Sequence, residues 1–229
     1  PPRSTLFPYT TLFRSYAEGP TDYYFLRPLL LRLCEDICLN EANQSVEFGE
    51  EVVSLDDPAR IKGGSRDERI VEAAREARGA WRIVFIHTDG AGSAERARAT
   101  CAQPAIDRLA QELPNDGVGV AVVPIRETES WALADGDAIR RVFGTLLSDD
   151  ALGLPHNAAG VEAILDPKKA LDDAFLKTNP TSRKRRQGAS PMLNALGESV
   201  SLQRLRLLPG FQALEHELRR GLEALGILS

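Results

Sequence analysis

Two short apolar runs constrain this chain more than anything else in it. Arg82–Ile86 (RIVFI) and Val118–Pro124 (VGVAVVP) are continuously hydrophobic, rich in β-branched residues and bounded by polar ones. A strand with no polar alternation must be covered on both faces, which is the habit of parallel sheets. Between the two runs lie a Gly-rich turn, His87-Thr88-Asp89-Gly90-Ala91-Gly92-Ser93, and a helical stretch. That stretch begins near Ala94, is expected to bend at Pro104, and continues over Ala105–Leu113. Strand, helix and strand in succession predict parallel pairing through right-handed crossovers. The expected class is α/β, a mainly parallel sheet flanked by helices.

Upstream, Tyr16–Leu33 (YAEGPTDYYFLRPLLLRL) reads as a strand end, a tight turn holding Glu18 and Gly19, and then a helix. Pro20 suits the first helical turn, where its missing N–H costs nothing. Asp22 lies in the same turn, at the positive end of the helix dipole. Phe25, Leu26, Leu29, Leu30 and Leu33 recur at helical spacing and form an apolar face. Ser45–Leu55 is a predicted strand and Asp56–Asp67 a polar loop. Asp67 is the expected cap of a helix over Glu68–Arg78. Glu129–Ala134 opens a short helix after the second apolar run. Beyond Gly144 no further strong strand occurs, and Pro167–Leu176, Pro191–Leu196 and Phe211–Leu225 read as helices. The expected organisation is an α/β core over residues 16–145 and a helical portion over residues 146–229 packed on it.

The first fifteen residues are set aside. Leu6–Ser15 (LFPYTTLFRS) resembles one reading frame of a widely used sequencing adapter, so Pro1–Ser15 is excluded from fold reasoning. Thr10–Ser15 is nevertheless apolar enough to be drawn into the place of the first strand. Elsewhere no apolar run reaches the roughly 20 residues that cross a membrane, and the expected location is cytoplasmic. Cys34 and Cys38 are spaced i, i+4; packed, reduced thiols are the favoured reading over a metal pair. A net charge of −5 argues against a chain coated in nucleic acid, though a local basic patch can still bind it.

Acidic residues fall at comparable points along the chain. Glu18 follows the first strand, Asp89 the RIVFI strand, and Glu127 and Glu129 the VGVAVVP strand. Parallel neighbours, spaced about 5 Å apart, bring such carboxylates to one edge of the sheet. Crowded carboxylates repel, and a hard divalent cation with oxygen ligands resolves the repulsion. Mg²⁺ held this way keeps positions open for phosphate oxygens and water, which is the chemistry of phosphodiester cleavage.

EGPTD after a strand, and a hydrophobic strand ending in HTDGAG, resemble the TOPRIM fold of topoisomerases, primases and overcoming-lysogenization-defect nucleases. Together with VPIRETESWALAD and LLPGFQALEHELRRGLEALG, they resemble an uncharacterised bacterial TOPRIM-related family from Tyr16 almost to the C-terminus. The resemblance implies a Rossmann-like sheet and a Mg²⁺- or Mn²⁺-dependent nuclease, working beside an ATPase encoded nearby in phage defence. It implies that Glu18 is a metal ligand or general acid/base, that Asp22 is the second acid of the nuclease branch, and that Asp89 belongs to a paired-aspartate metal motif. Whether that pair is read as His87-Thr88-Asp89 or as Asp89-Gly90-Ala91, one aspartate is missing. His87 suits Mn²⁺ better than Mg²⁺, and Ala91 offers no ligand atom. Glu129, and less so Glu127, are the expected sources of the missing oxygen.

The expected site is therefore Glu18 and Asp89 as catalytic groups, with Glu18, Asp22, Asp89 and Glu129 around the metal. Arg183, Lys184, Arg185 and Arg186, in a Pro/Ser/Gly-flanked loop, and Lys168 are expected to meet nucleic-acid phosphates. The alternative reading is a catalytically degenerate module that binds an ATPase or nucleic acid without cutting.

Overall fold

The computed structural model describes residues 10–229 apart from 44 and 62. Four strands, β1 (Thr10–Tyr16), β2 (Glu47–Ser54), β3 (Ile83–His87) and β4 (Val118–Val122), form one sheet in the order β2-β1-β3-β4. Every pairing is parallel: Arg14 lies opposite both Val53 and Val84, and Phe85 lies opposite Val120. The α/β class read from the two apolar runs is the fold observed. β3 is buried along its whole length. Its Ile83 and Phe85 point into one apolar cluster, while Val84 and Ile86 point into the other.

The strand order dictates where the helices go. The chain leaves β1 through α1 (Pro20–Glu41) to β2, then reverses across the sheet through α2 (Arg66–Glu76) to β3. The reversal places α1 and α2 on opposite faces. Phe25, Leu26 and Leu29 of α1 join the cluster of Phe13 and Phe85, whereas Ile70, Val71 and Ala74 of α2 join that of Val84 and Ile86. Each of the larger of these side chains, fully buried, contributes roughly 1.5–3 kcal/mol. Cys34 and Cys38 lie unpaired in the α1 cluster; burial raises both thiols, Cys38 to about 11.

β1 is built largely from the adapter-like residues. The tail Pro1–Tyr9 lies outside the described residues, but Thr10–Ser15 fills a central position, hydrogen-bonded to β2 on one side and β3 on the other. Phe13, from that stretch, is buried between Phe48 and Phe85.

Several local features differ from expectation. Ser65, not Asp67, caps α2: its hydroxyl accepts the Glu68 N–H while Glu68 Oε2 accepts the Ser65 N–H at 2.9 Å. Asp67 instead pairs with Arg108 at 2.9 Å. The helical stretch after β3 runs as α3 (Ala94–Ala97), one wide turn over Arg98–Ala102, and α4 (Gln103–Glu112). Pro104 sits just inside α4, and the wide turn accommodates its absent N–H.

The C-terminal half is a run of helices on the α1 face. These are α5 (Glu129–Leu133), α6 (Gly136–Phe143), α7 (Asp149–Leu152), α8 (Ala158–Ala163), α9 (Pro167–Lys177), α10 (Ser182–Gln187), α11 (Leu193–Ser199), α12 (Leu202–Leu205) and α13 (Pro209–Ala224). Gly197 of α11 is pressed against the Phe25 carbonyl of α1, an approach that a side chain would block. Leu214, Leu218 and Leu222 of α13 close the same core. The expected basic loop at Ser182–Gln187 is the helix α10, capped by Thr181 and stopped by Gly188. Among the described residues, no helix is long and apolar enough to cross a membrane.

Candidate metal centre

In an open parallel sheet, ligands collect where the strand order reverses, outside the C-terminal ends of the strands. Here that point lies between β1 and β3. Glu18 follows β1 and Thr88 follows β3, and the Thr88 hydroxyl donates to Glu18 Oε1 at 2.6 Å. Arg66, the first residue of α2, also reaches Glu18 Oε1 at 3.2 Å and donates to the His87 carbonyl. Its guanidinium lies 5.4 Å over the ring of Tyr16. Tyr16 in turn donates to Asp57 at 2.5 Å. Burial, then this bond, pushes its hydroxyl up to about 12.

The residues that close on a common point are Asp22, His87 and Asp89. One ligand atom from each lies within 4.8 Å of the others. Asp22 comes from the first turn of α1 and is nearly buried; His87, the last residue of β3, is wholly buried. His87 Nε2 is 3.4 Å from Asp89 Oδ1. Neither ring nitrogen of His87, nor Oδ1 of Asp89, meets a hydrogen-bond partner among the described residues, although all three atoms are shielded from solvent. A polar atom buried without a partner costs about 1–3 kcal/mol. One ring nitrogen of His87 and Oδ1 of Asp89 can share an electron-pair acceptor that the described residues do not supply. A nitrogen beside two carboxylates fits a divalent cation, with Mn²⁺ or a borderline metal favoured over Mg²⁺.

Glu129 approaches from the other side. It is buried at the start of α5, and the Thr128 hydroxyl donates to Asp22 Oδ1 at 2.7 Å while lying 3.3 Å from Glu129 Oε2. Burial raises the Glu129 carboxyl above its ordinary value, and the charges of Asp22 and Glu127 raise it further. Glu127 itself accepts the backbone N–H of Lys168 at 3.2 Å, so the first turn of α9 borders the acids.

The loop carrying Asp89 is stitched to the loop after β4. Ala91 and Gly92 donate to the carbonyls of Arg126 and Ile125, at 3.3 and 2.8 Å. Any side chain at Gly90 would collide with the carbonyl oxygens of Pro124 and Ile125. This stitching holds the Asp89 turn and the Glu127–Glu129 segment in one frame. Ala91 pays for it with a left-handed backbone, φ 47°, and sits exposed.

The expected residues are thus distributed as follows. Asp22 and Asp89 meet directly, with His87 as the third member. Glu129 is linked to Asp22 through Thr128. Glu18 stands outside the triad, one hydrogen bond from Thr88. Lys168 borders the acids through its backbone, and Arg183, Lys184, Arg185 and Arg186 are exposed along α10. The contributions of Thr88, Thr128 and Arg66 went unread. Nothing local announces them, because their partners lie 70, 106 and 48 positions away in the chain. Compared with protein-family models, curated proteins and solved structures, the chain has no match in any of the three.

Proposed function

We propose that the chain is a divalent-cation-dependent nuclease of TOPRIM type, acting on nucleic-acid phosphodiesters at the C-terminal edge of its sheet. The observation carrying this reading is the buried, unpartnered set of His87 and Asp89 beside Asp22. Asp22, His87 and Asp89 would hold the cation, with Glu129 completing the oxygen set. A cation so held supplies charge neutralisation at a phosphoryl oxygen and an acidified water. Glu18 accepts two hydrogen bonds at Oε1, which orient Oε2 to take a proton from the attacking water. Thr88 and Arg66 fix that orientation. Thr128 holds Asp22 in place against the repulsion of Glu129. The resemblance adds an ATPase partner and a role in defence against foreign DNA.

Incubation with plasmid DNA and with RNA in Mg²⁺ or Mn²⁺ tests the proposal. Cleavage is expected in at least one metal, dropping by about a hundredfold or more in Glu18→Gln and in Asp89→Asn. Cleavage unchanged in both variants contradicts the assignment.

One observation favours a second reading, a module that binds an ATPase or nucleic acid without cutting. Ala91 stands where a second aspartate of the paired motif would be, and it offers no ligand to a second cation. In that case calorimetric titration finds no saturable cation site that depends on Asp89.

A further inference from the structure

Tyr24 lines two cavities at once. The larger, about 740 Å³, lies beside Glu18 at the C-terminal ends of β1 and β2, and its walls include Tyr23, Arg66 and Arg69. The other, about 540 Å³, is lined by Arg27, Ser190 and Asn194. Tyr24 has no part in the core: it is 52% exposed on α1, with its ring centroid 6.1 Å from that of Tyr23.

The arginines face the larger cavity from one side of α2, three residues apart. Arg66 is held by Glu18 and Arg69 by Asp57, the latter at 2.6 Å. Both residues line the cavity wall. Two arginines at a cavity wall suit a ligand bearing acceptor oxygens, above all phosphate. On the far side of Tyr24, α10 with its four exposed cations leads through Gly188 into Ser190 of the second cavity.

A protruding aromatic ring with arginines to either side is the arrangement that unpaired nucleic acid uses: bases stack on the ring while cations track the backbone. A duplex keeps its bases stacked on one another and has no use for Tyr24. The larger cavity also has a volume in the range that holds one small-molecule-sized unit, such as a single nucleotide.

We propose that an unpaired polynucleotide strand crosses Tyr24, with one nucleotide in the Arg66–Arg69 cavity beside Glu18 and the strand leaving toward α10. The subsite rests on the reaction proposed above and narrows its substrate to single-stranded nucleic acid. An acidic peptide would engage the same arginines and leave the Tyr24 ring unused, so the ring decides between the two.

The test is fluorescence anisotropy on the full chain with a labelled oligothymidylate of about ten nucleotides and with a hairpin duplex. Ca²⁺ replaces the catalytic cation, so that binding is read without turnover. The unpaired strand is expected to bind more tightly than the duplex. Tyr24→Ala weakens its binding about tenfold or more, and Tyr24→Phe, which keeps the ring, does not. Arg66→Met weakens binding and flattens its salt dependence. Failure of the wild type to bind, binding indifferent to Tyr24→Ala, equal loss in Tyr24→Phe, or preference for the duplex each overturns the subsite. Ring-dependent binding without any cleavage overturns the proposed reaction and leaves the subsite standing; cleavage that is indifferent to Tyr24→Ala does the reverse.

Discussion

Asp135, at the mouth of α6, and Asp89, behind β3, both carry carboxylate oxygens shielded from solvent, and their surroundings are opposite. Asp135 Oδ1 accepts the N–H groups of Asp137 and Ala138, and Oδ2 accepts that of Ser201 at 2.9 Å. Oδ1 caps its own helix, and Oδ2 ties α6 to the start of α12. Glu215 on α13 is similar, buried against Arg206 and Arg219 at 2.8 and 3.3 Å. Asp89 Oδ1 has no such partner among the described residues, and the imidazole 3.4 Å away is equally unsatisfied. Asp135 and Glu215, on the helical side, are answered within the fold, whereas Oδ1 of Asp89 and the ring nitrogens of His87, at a strand end, are left open among the described residues. The first pattern builds stability and the second costs it, as sites organised for a ligand commonly do.

That contrast can be broken by substitution. Asp135→Ala removes a helix cap and the acceptor for Ser201, and a loss of about 3 kcal/mol is expected in chemical denaturation. A loss below about 1 kcal/mol would erase the distinction. Ala91→Gly relieves a left-handed backbone in the Asp89 turn and is expected to gain about 0.5–1 kcal/mol, measured the same way.

Glu129→Gln sharpens the contrast through pH. The folded-state pKa of Glu129 is raised by burial, so the folded state favours the protonated form. The stability this group contributes is complete below its unfolded value of about 4.5 and is lost as pH rises through the folded value. Glu129→Gln should therefore be more stable than the parent at pH 7 and indistinguishable from it below about pH 4. An equal difference at both pH values would place the cause in packing instead.

Much of the fold was readable because burial leaves a periodic or continuous signature. Ile83–Ile86 and Val120–Val122 needed cover on both faces, and the Phe25–Leu33 stripe needed a core to face. α10 was not readable in the same way. Ser182–Gln187 has no apolar side to place, and Thr181 and Gly188, its two stops, look the same as loop residues in sequence. At the site, the position of an acid after a strand end pointed to Glu18, Asp89, Glu127 and Glu129, while Asp22 entered through the TOPRIM resemblance. Their division of labour was not readable, because it depends on which hydroxyl or guanidinium the fold brings across the β1–β3 crevice. His87 illustrates the limit: a histidine at a strand end has many fates, and only its enclosed, unpartnered nitrogens distinguish this one.

The most direct measurement is thermal unfolding with and without saturating Mn²⁺. A cation bound only by the folded state at about a hundred times its dissociation constant adds about 2.7 kcal/mol, or roughly 5–10 °C for a chain of this size. That rise is expected in the parent and in Ala91→Gly, and is expected to disappear in Asp89→Asn and His87→Ala. A rise that survives in Asp89→Asn and His87→Ala, or no rise in the parent, contradicts a metal centre at Asp22, His87 and Asp89.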